Sequence, residues 1–309
     1  MSTSTSTLYA ICILIWGTTW YAITAQIDVI APAVGVSLRF GLAAAVLFAV
    51  CRLRRIPLRF PARVQALILA QGLTGFYASY VGVYEAEGCV ASGVVAVGYA
   101  ASPLTGLVLA RIFLGTPMSA RVALGGLAGI AGVVLIFWHE VMRLAGSAQT
   151  LKGIVLTMAS VLLASLSTIA ASSYHRQGVK GWAPLAWAMA YGSAGALVHA
   201  LVTGAAWGWS WRPSFVGSLV YLALFGSILA FGAYYALVHR VGPAKAGYIG
   251  VLTPLVALVV SGLLENFVWT GLTVAGVALA IAGNLIALWP RAPVATAAVQ
   301  TSSSTVTGA

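Results

Sequence analysis

The chain has 309 residues, 61% of them hydrophobic and only 7% charged, with a mean hydropathy of +0.99. A soluble domain needs far more polar surface, so the solvent of this chain is lipid, and unbroken apolar runs exclude a β-barrel, whose strands alternate. The net charge of +11 is scattered over short loops between apolar runs, which excludes a nucleic-acid surface as its explanation.

Residues 1–7 read as a disordered Ser/Thr tail without the basic region of a signal peptide. Ten apolar runs follow, at 8–25, 32–51, 64–84, 90–111, 121–138, 153–174, 183–203, 215–237, 243–263 and 270–289. Each is near the roughly 20 residues a helix needs to span the hydrocarbon. The predicted class is all-α integral membrane, with ten transmembrane helices.

The first run opens on Trp16-Gly17-Thr18-Thr19-Trp20. Trp16 and Trp20 share a face one turn apart, either lining a cavity or packing. Arg39 in the second run is the one basic residue well inside a span. A central arginine costs about 2.5–3.5 kcal/mol on insertion scales, so it meets either backbone carbonyls or a substrate carboxylate. Tyr77, Tyr80 and Tyr84 form an i, i+3, i+7 stripe on the third run, and Tyr99 adds a ring from the fourth. A phenol at bilayer depth wants a hydrogen-bond partner and so favours a cavity, although an interfacial belt is the alternative at the ends of spans.

Pro103 lies in the fourth run, where it frees the carbonyl of Tyr99 and offers a hinge. Gly125, Gly129 and Gly132 give the fifth run a close-packing face. Residues 139–152 form a polar linker. His199 is the one deep imidazole, in the seventh run, and Trp207, Trp209 and Trp211 read as an interfacial cluster. Tyr234 and Tyr235 lie on the eighth run, beside Phe231. Lys245, Tyr248 and the second hinge proline, Pro254, lie on the ninth, where Gly250 is the carbonyl freed. Gly276, Ala280 and Gly283 face the tenth, and residues 290–309 read as a disordered cytoplasmic tail.

Pro103 and Pro254 are 151 residues apart, and at that offset Gly75 falls on Gly226, Tyr84 on Tyr235, Gly125 on Gly276 and Gly132 on Gly283. The spacing divides the chain into two five-span repeats, 8–138 and 153–289. Five is odd, so the second copy enters from the opposite side and the repeats are inverted, with a site expected at the midplane between them. Twelve Lys/Arg fall on the side of the termini and three on the other, which places both termini in the cytoplasm. All five acids are read outside the spans, so no membrane carboxylate is expected as proton relay or cation partner. Cys12, Cys51 and Cys89 have neither disulfide nor metal-site spacing. No HExxH, GxSxG or Walker A pattern occurs, so the reading is not an enzyme, with no metal and no cofactor.

The five-plus-five arrangement, the Trp16-Gly17-Thr18-Thr19 opening, Ser37-Leu38-Arg39-Phe40, Ser102-Pro103-Leu104 and Thr253-Pro254-Leu255 resemble the EamA branch of the drug/metabolite transporter superfamily. The resemblance implies a bacterial inner-membrane carrier, commonly an exporter of amino acids or other metabolites, with a central cavity between the halves. Family members often carry an acid after the fourth and ninth spans; Glu265 fits that pattern and Leu114 does not. Within the branch the chain looks most like the aromatic amino acid exporters.

The expected substrate-binding set is Trp16, Trp20, Arg39, Tyr77, Tyr80, Tyr84, Tyr99, Tyr234, Tyr235, Lys245 and Tyr248, with Pro103 and Pro254 as hinges. The expected partners are a zwitterionic metabolite or amino acid and membrane lipids, with no nucleic acid, for a protein working as a monomer. Rival readings are a multidrug exporter and a non-transporting membrane scaffold.

Overall fold

In the apolar solvent that the composition demands, every backbone polar group must be paired within its own segment, so helices are the outcome. The computed structural model describes residues 4–27, 29–90, 95, 98–136, 138, 142, 147–264 and 270–288, and the described residues contain no strand. The helices are α1 Thr5–Ile27, α2 Pro32–Leu53, α3 Ala62–Glu87, α4 Ser102–Leu114, α5 Ala120–Ile136, α6 Ala148–His175, α7 Trp182–Val202, α8 Pro213–Val241, α9 Pro243–Ala246, α10 Ile249–Leu264 and α11 Gly271–Leu288. By length and composition seven segments can cross a membrane, taking Pro243–Val260 as one of them. Three more helices, α4, α5 and α11, are apolar but shorter. The predicted C-terminal tail, Glu265 and half of the linker lie outside the described residues. However, α1 takes in Thr5–Thr7 of the predicted N-terminal tail, where the Ser4 hydroxyl accepts from the Thr7 N–H, and α6 takes in 148–152 of the predicted linker.

Local chemistry sets the ends. Proline occupies the first turn of α2, α4, α8 and α9, where its missing N–H is not needed. Gly115 closes α4 in the left-handed region at φ 65° and donates to Ala110 O. Ser147 caps α6, its hydroxyl accepting from the Thr150 N–H at 3.0 Å. Inside α6, Thr157, Ser160, Thr168 and Ser172 each donate to the carbonyl four residues earlier. That back-bonding lets a hydroxyl-rich helix sit in an apolar bundle.

Two helices depart from α geometry at related places. Gly72–Ser79 in α3 and Leu224–Leu229 in α8 are π-helical, a form in which hydrogen bonds run to the fifth residue and nearby carbonyls are left for other donors. Ser167 Oγ donates to Gln71 O beside the first, and Trp16 Nε1 to Gly226 O in the second.

The packing pairs are α1 on α8 and α10, α6 on α3 and α4, α2 on α7, and α5 on α11. The last is a glycine-mediated crossing. A Cβ at Gly125 would lie 2.5 Å from Gly283 O, and one at Gly132 would lie 2.6 Å from Gly276 O. Reciprocally, Gly276 faces Gly132 O and Gly283 faces Gly125 O. Absent side chains thus let two backbones touch within one molecule.

Besides the boundaries of the N-terminal tail and the linker, four sequence expectations need correction. The third span does not stop at Tyr84 but continues a further turn, taking Glu85 and Glu87 into the helix. Pro103 does not bend a continuous helix, because the chain turns at Ala100 and Ala101 and Pro103 sits in the first turn of α4. The Tyr99 carbonyl is not left free, since Ser102 Oγ donates to it at 2.6 Å. The ninth span is broken into α9 and α10 around Gly247 and Tyr248, while Pro254 lies inside α10 as expected.

Candidate functional site

The turn that precedes α4 and the turn between α9 and α10 meet. A Cβ at Gly250 would stand 2.4 Å from Tyr99 O, and one at Gly247 would stand 3.0 Å from Ser102 O, so both backbones are in direct contact. Next to this contact lies a cavity of about 130 Å³, walled by α1, α3, α4, α6, α8 and the α9–α10 segment together with Tyr99. A packing defect is smaller, since one water needs roughly 10–15 Å³ on this measure.

Rings form most of the wall. Trp16 meets Phe231 edge-on at 4.9 Å and Tyr234 at 5.3 Å. Trp20 meets Tyr99 at 6.0 Å, and Phe231 stacks on Tyr235 at 5.9 Å. The phenols are tied to hydroxyls of neighbouring helices: Tyr99 to Ser79 at 3.2 Å, Tyr234 to Thr168 at 3.2 Å and Tyr235 to Ser167 at 3.5 Å. Ser165 pairs with Thr105 at 2.7 Å. Trp16 Nε1 is occupied by Gly226 O, but Trp20 Nε1 is buried without a partner. Among the described residues, no charged side chain lines the cavity.

Of the residues singled out from sequence, Trp16, Trp20, Tyr80, Tyr99, Tyr234, Tyr235 and Pro254 line this cavity. The others lie elsewhere. Tyr77 faces α7, its hydroxyl 3.2 Å from His199 Nδ1, in a separate lateral groove. Tyr84 is buried one turn beyond Tyr80 and donates to Gln26 Oε1. Tyr248 turns towards α5 and donates to Val122 O. Lys245 is half-buried beside the cavity, where its carbonyl accepts from Tyr9 at 2.8 Å. Pro103 packs against α5 near Gly126, off the cavity wall. The hydroxyls of Ser79, Ser165, Ser167 and Thr168 were not anticipated. For Ser165, Ser167 and Thr168 the sequence signal is the polar run on α6, where Ser167 sits at the repeat offset from Trp16; Ser79, on α3, has none.

Arg39 is a support behind the wall. It is 1% exposed, donates through Nε to Ser227 Oγ at 3.0 Å and through Nη2 to Gly226 O at 3.3 Å, and lies 4.7 Å over the Tyr80 ring. It thereby fixes the π-helical stretch of α8 against Tyr80. Arg39→Lys keeps the charge but loses the planar fork, and is expected to destabilise by about 1–3 kcal/mol. A thermal scan of the purified protein checks this; an unchanged Tm would show that those contacts carry no stability.

The model of the EamA-like transporter family matches residues 4–138 and again 151–289. The chain belongs to the EamA-like transporter family. Relatives of this EamA-like chain include the uncharacterized inner membrane transporter YedA of Escherichia coli (strain K12), 30% identical over 306 residues, 94% of each chain. An uncharacterized transporter of Archaeoglobus fulgidus is 25% identical, over 91% of this chain and 98% of its own. A solved crystal structure superposes with a TM-score of 0.74 at 18% identity, over 93% of this chain and 97% of its own, which shows a shared fold. The EamA-like chain is thus a multi-pass inner-membrane transporter.

Proposed function

We propose that the chain exports neutral, zwitterionic metabolites by alternating access, with aromatic and other bulky hydrophobic amino acids as preferred cargo. The observation that carries this reading is a cavity whose described wall carries no charge and is built of tyrosine, tryptophan and phenylalanine interleaved with hydroxyls. Each well-placed ring contact contributes about 0.5–1.5 kcal/mol to an aromatic ligand. The free indole N–H of Trp20 is the donor on offer to a carboxylate. The ammonium group has carbonyl and hydroxyl oxygens of the Tyr99–Ser102 turn within the same wall.

The transport cycle in this proposal rests on ten spans arranged as two inverted repeats, 8–138 and 153–289, with both termini cytoplasmic. Three observations support it: the family model matches twice, the π-helical stretches recur at the 151 offset, and the Gly125–Gly283 and Gly132–Gly276 contacts exchange under that offset. Rocking of α3 and α8 with the broken fourth and ninth spans would open the cavity to each side in turn. With no charge among the described residues of the wall, the simplest cycle is diffusion of cargo down its gradient by a monomer.

The same apolar wall accommodates uncharged lipophilic drugs, which keeps the multidrug reading as the rival. Purified protein in liposomes separates them: radiolabelled tryptophan, threonine and a cationic dye are compared for flux and counterflow. Tryptophan counterflow exceeding threonine is the expected result. Dye flux without amino acid flux overturns the proposal in favour of the multidrug reading, and no flux of any of them favours a scaffold.

A further inference from the structure

Where α3 ends, four buried polar atoms have no partner among the described residues: both carboxylate oxygens of Glu87, Nη1 of Arg39 and Nε2 of Gln26. Tyr80, Tyr84 and Glu87 follow one face of α3 at i, i+4, i+7 spacing. That face meets α2, where Arg39 lies over Tyr80, and α1, where Gln26 accepts from Tyr84 at 3.3 Å. The other two guanidinium nitrogens of Arg39 are held by Ser227 and Gly226. Its field reaches Glu87, yet no ion pair joins them among the described residues. Val83, between Tyr80 and Tyr84, lines the cavity. The cluster is therefore the layer that closes the cavity towards this end of the molecule, the outer end in the orientation proposed above.

A carboxylate stripped of water and given no donor costs several kcal/mol, and such a group neutralises itself or regains water. We infer that Glu87 is a proton-binding latch, carrying its proton while this layer is closed and ionised once the outer end opens. Opening breaks the carboxyl O–H bond, passes the proton to external water and leaves a hydrated carboxylate; closing takes one proton back from the same side. Acid outside thus holds the transporter closed, and alkali releases it. The inference rests on alternating access and on the proposed orientation, but not on the identity of the cargo.

The groups facing Glu87 are Arg39 from α2, Tyr80 and Tyr84 on its own face of α3, and Tyr99 beyond it, with the non-titrating Gln26 of α1 hydrogen-bonded to Tyr84; Glu85, two residues back, points to another face. Lys152, at the start of α6, is exposed. Glu85 is the competing carboxylate and needs its own control.

The test reads opening without cargo. Val83→Cys in a Cys89→Ser background is labelled by a membrane-impermeant maleimide on intact bacteria, with external pH varied from about 5.5 to about 8. Labelling is divided by that of Thr203→Cys, an exposed position, which cancels the ionisation of the thiol itself. The normalised rate is expected to rise with pH by up to about tenfold per pH unit, as one proton per opening allows. Glu87→Gln removes the rise and stays slow, Glu87→Asp retains it, and Glu85→Gln behaves as the parent. A flat parent profile, or an unchanged rise in Glu87→Gln, overturns the inference. Because no amino acid is added, either outcome is independent of whether tryptophan is transported.

Discussion

Gly132→Ala is expected to cost the protein about 1–3 kcal/mol of stability and, in a bundle already closely packed, much of its yield as a single species. The added methyl would lie 2.6 Å from Ala280 N and Gly276 O, and backbone cannot move aside as a flexible side chain can. The contact is shared by reciprocal positions, so Gly276→Ala, whose Cβ would meet Gly132 O at 2.5 Å, is expected to be equally damaging. Gly217→Ala is the control, because nothing lies within 4 Å of its added Cβ. Size-exclusion profiles and thermal scans in detergent measure the difference. Equal behaviour of Gly132→Ala and Gly217→Ala would show that the α5–α11 crossing is loose enough to take a methyl group.

Tyr99→Ala is expected to raise the half-saturating concentration for tryptophan about 3–10-fold, the equivalent of about one ring contact, while moving that for threonine less. The ring faces Trp20 at 6.0 Å and its hydroxyl holds Ser79. Removing it therefore takes away a wall that only a large cargo touches. Tyr99→Phe keeps the ring and is expected to stay near the parent. Counterflow in liposomes with both amino acids measures the ratio; an equal loss for tryptophan and threonine in Tyr99→Ala, with Tyr99→Phe also inactive, would assign the residue to folding instead.

The hydropathy pattern made the helices legible because lipid leaves no other way to pair the backbone. The glycines of α5 and α11 were legible too, since small residues at helical spacing have one common use in a bilayer. Tyr77 was misplaced for a definite reason. The i, i+3, i+7 stripe assumes α geometry, but Tyr77 lies in the π-helical stretch, whose wider turn rotates it towards His199 while Tyr80 still meets the cavity. Nothing in the local composition marks a π-helix.

Glu87 was read as lying outside the membrane because Tyr84 looked like the end of a span, whereas the helix runs one turn further. Arg39 was correctly isolated as the deep cation. Which of its two expected partners it meets depends on where α8 packs, and periodicity carries no information about that. The hydroxyls of α6 went unnoticed because serine and threonine in a membrane helix most often bond back to their own backbone. Thr168 both bonds back to Ala164 O and reaches Tyr234.

The central claim is that both segments of the chain wall one pathway. Thr19→Cys on α1 and Thr168→Cys on α6, made separately in a Cys89→Ser background, test it through labelling by a small membrane-permeant thiol reagent. Both positions line the cavity. Labelling either is predicted to abolish counterflow, and tryptophan is predicted to slow labelling at both with the same half-protecting concentration. Flux that survives labelling, or protection at one position only, would contradict the account.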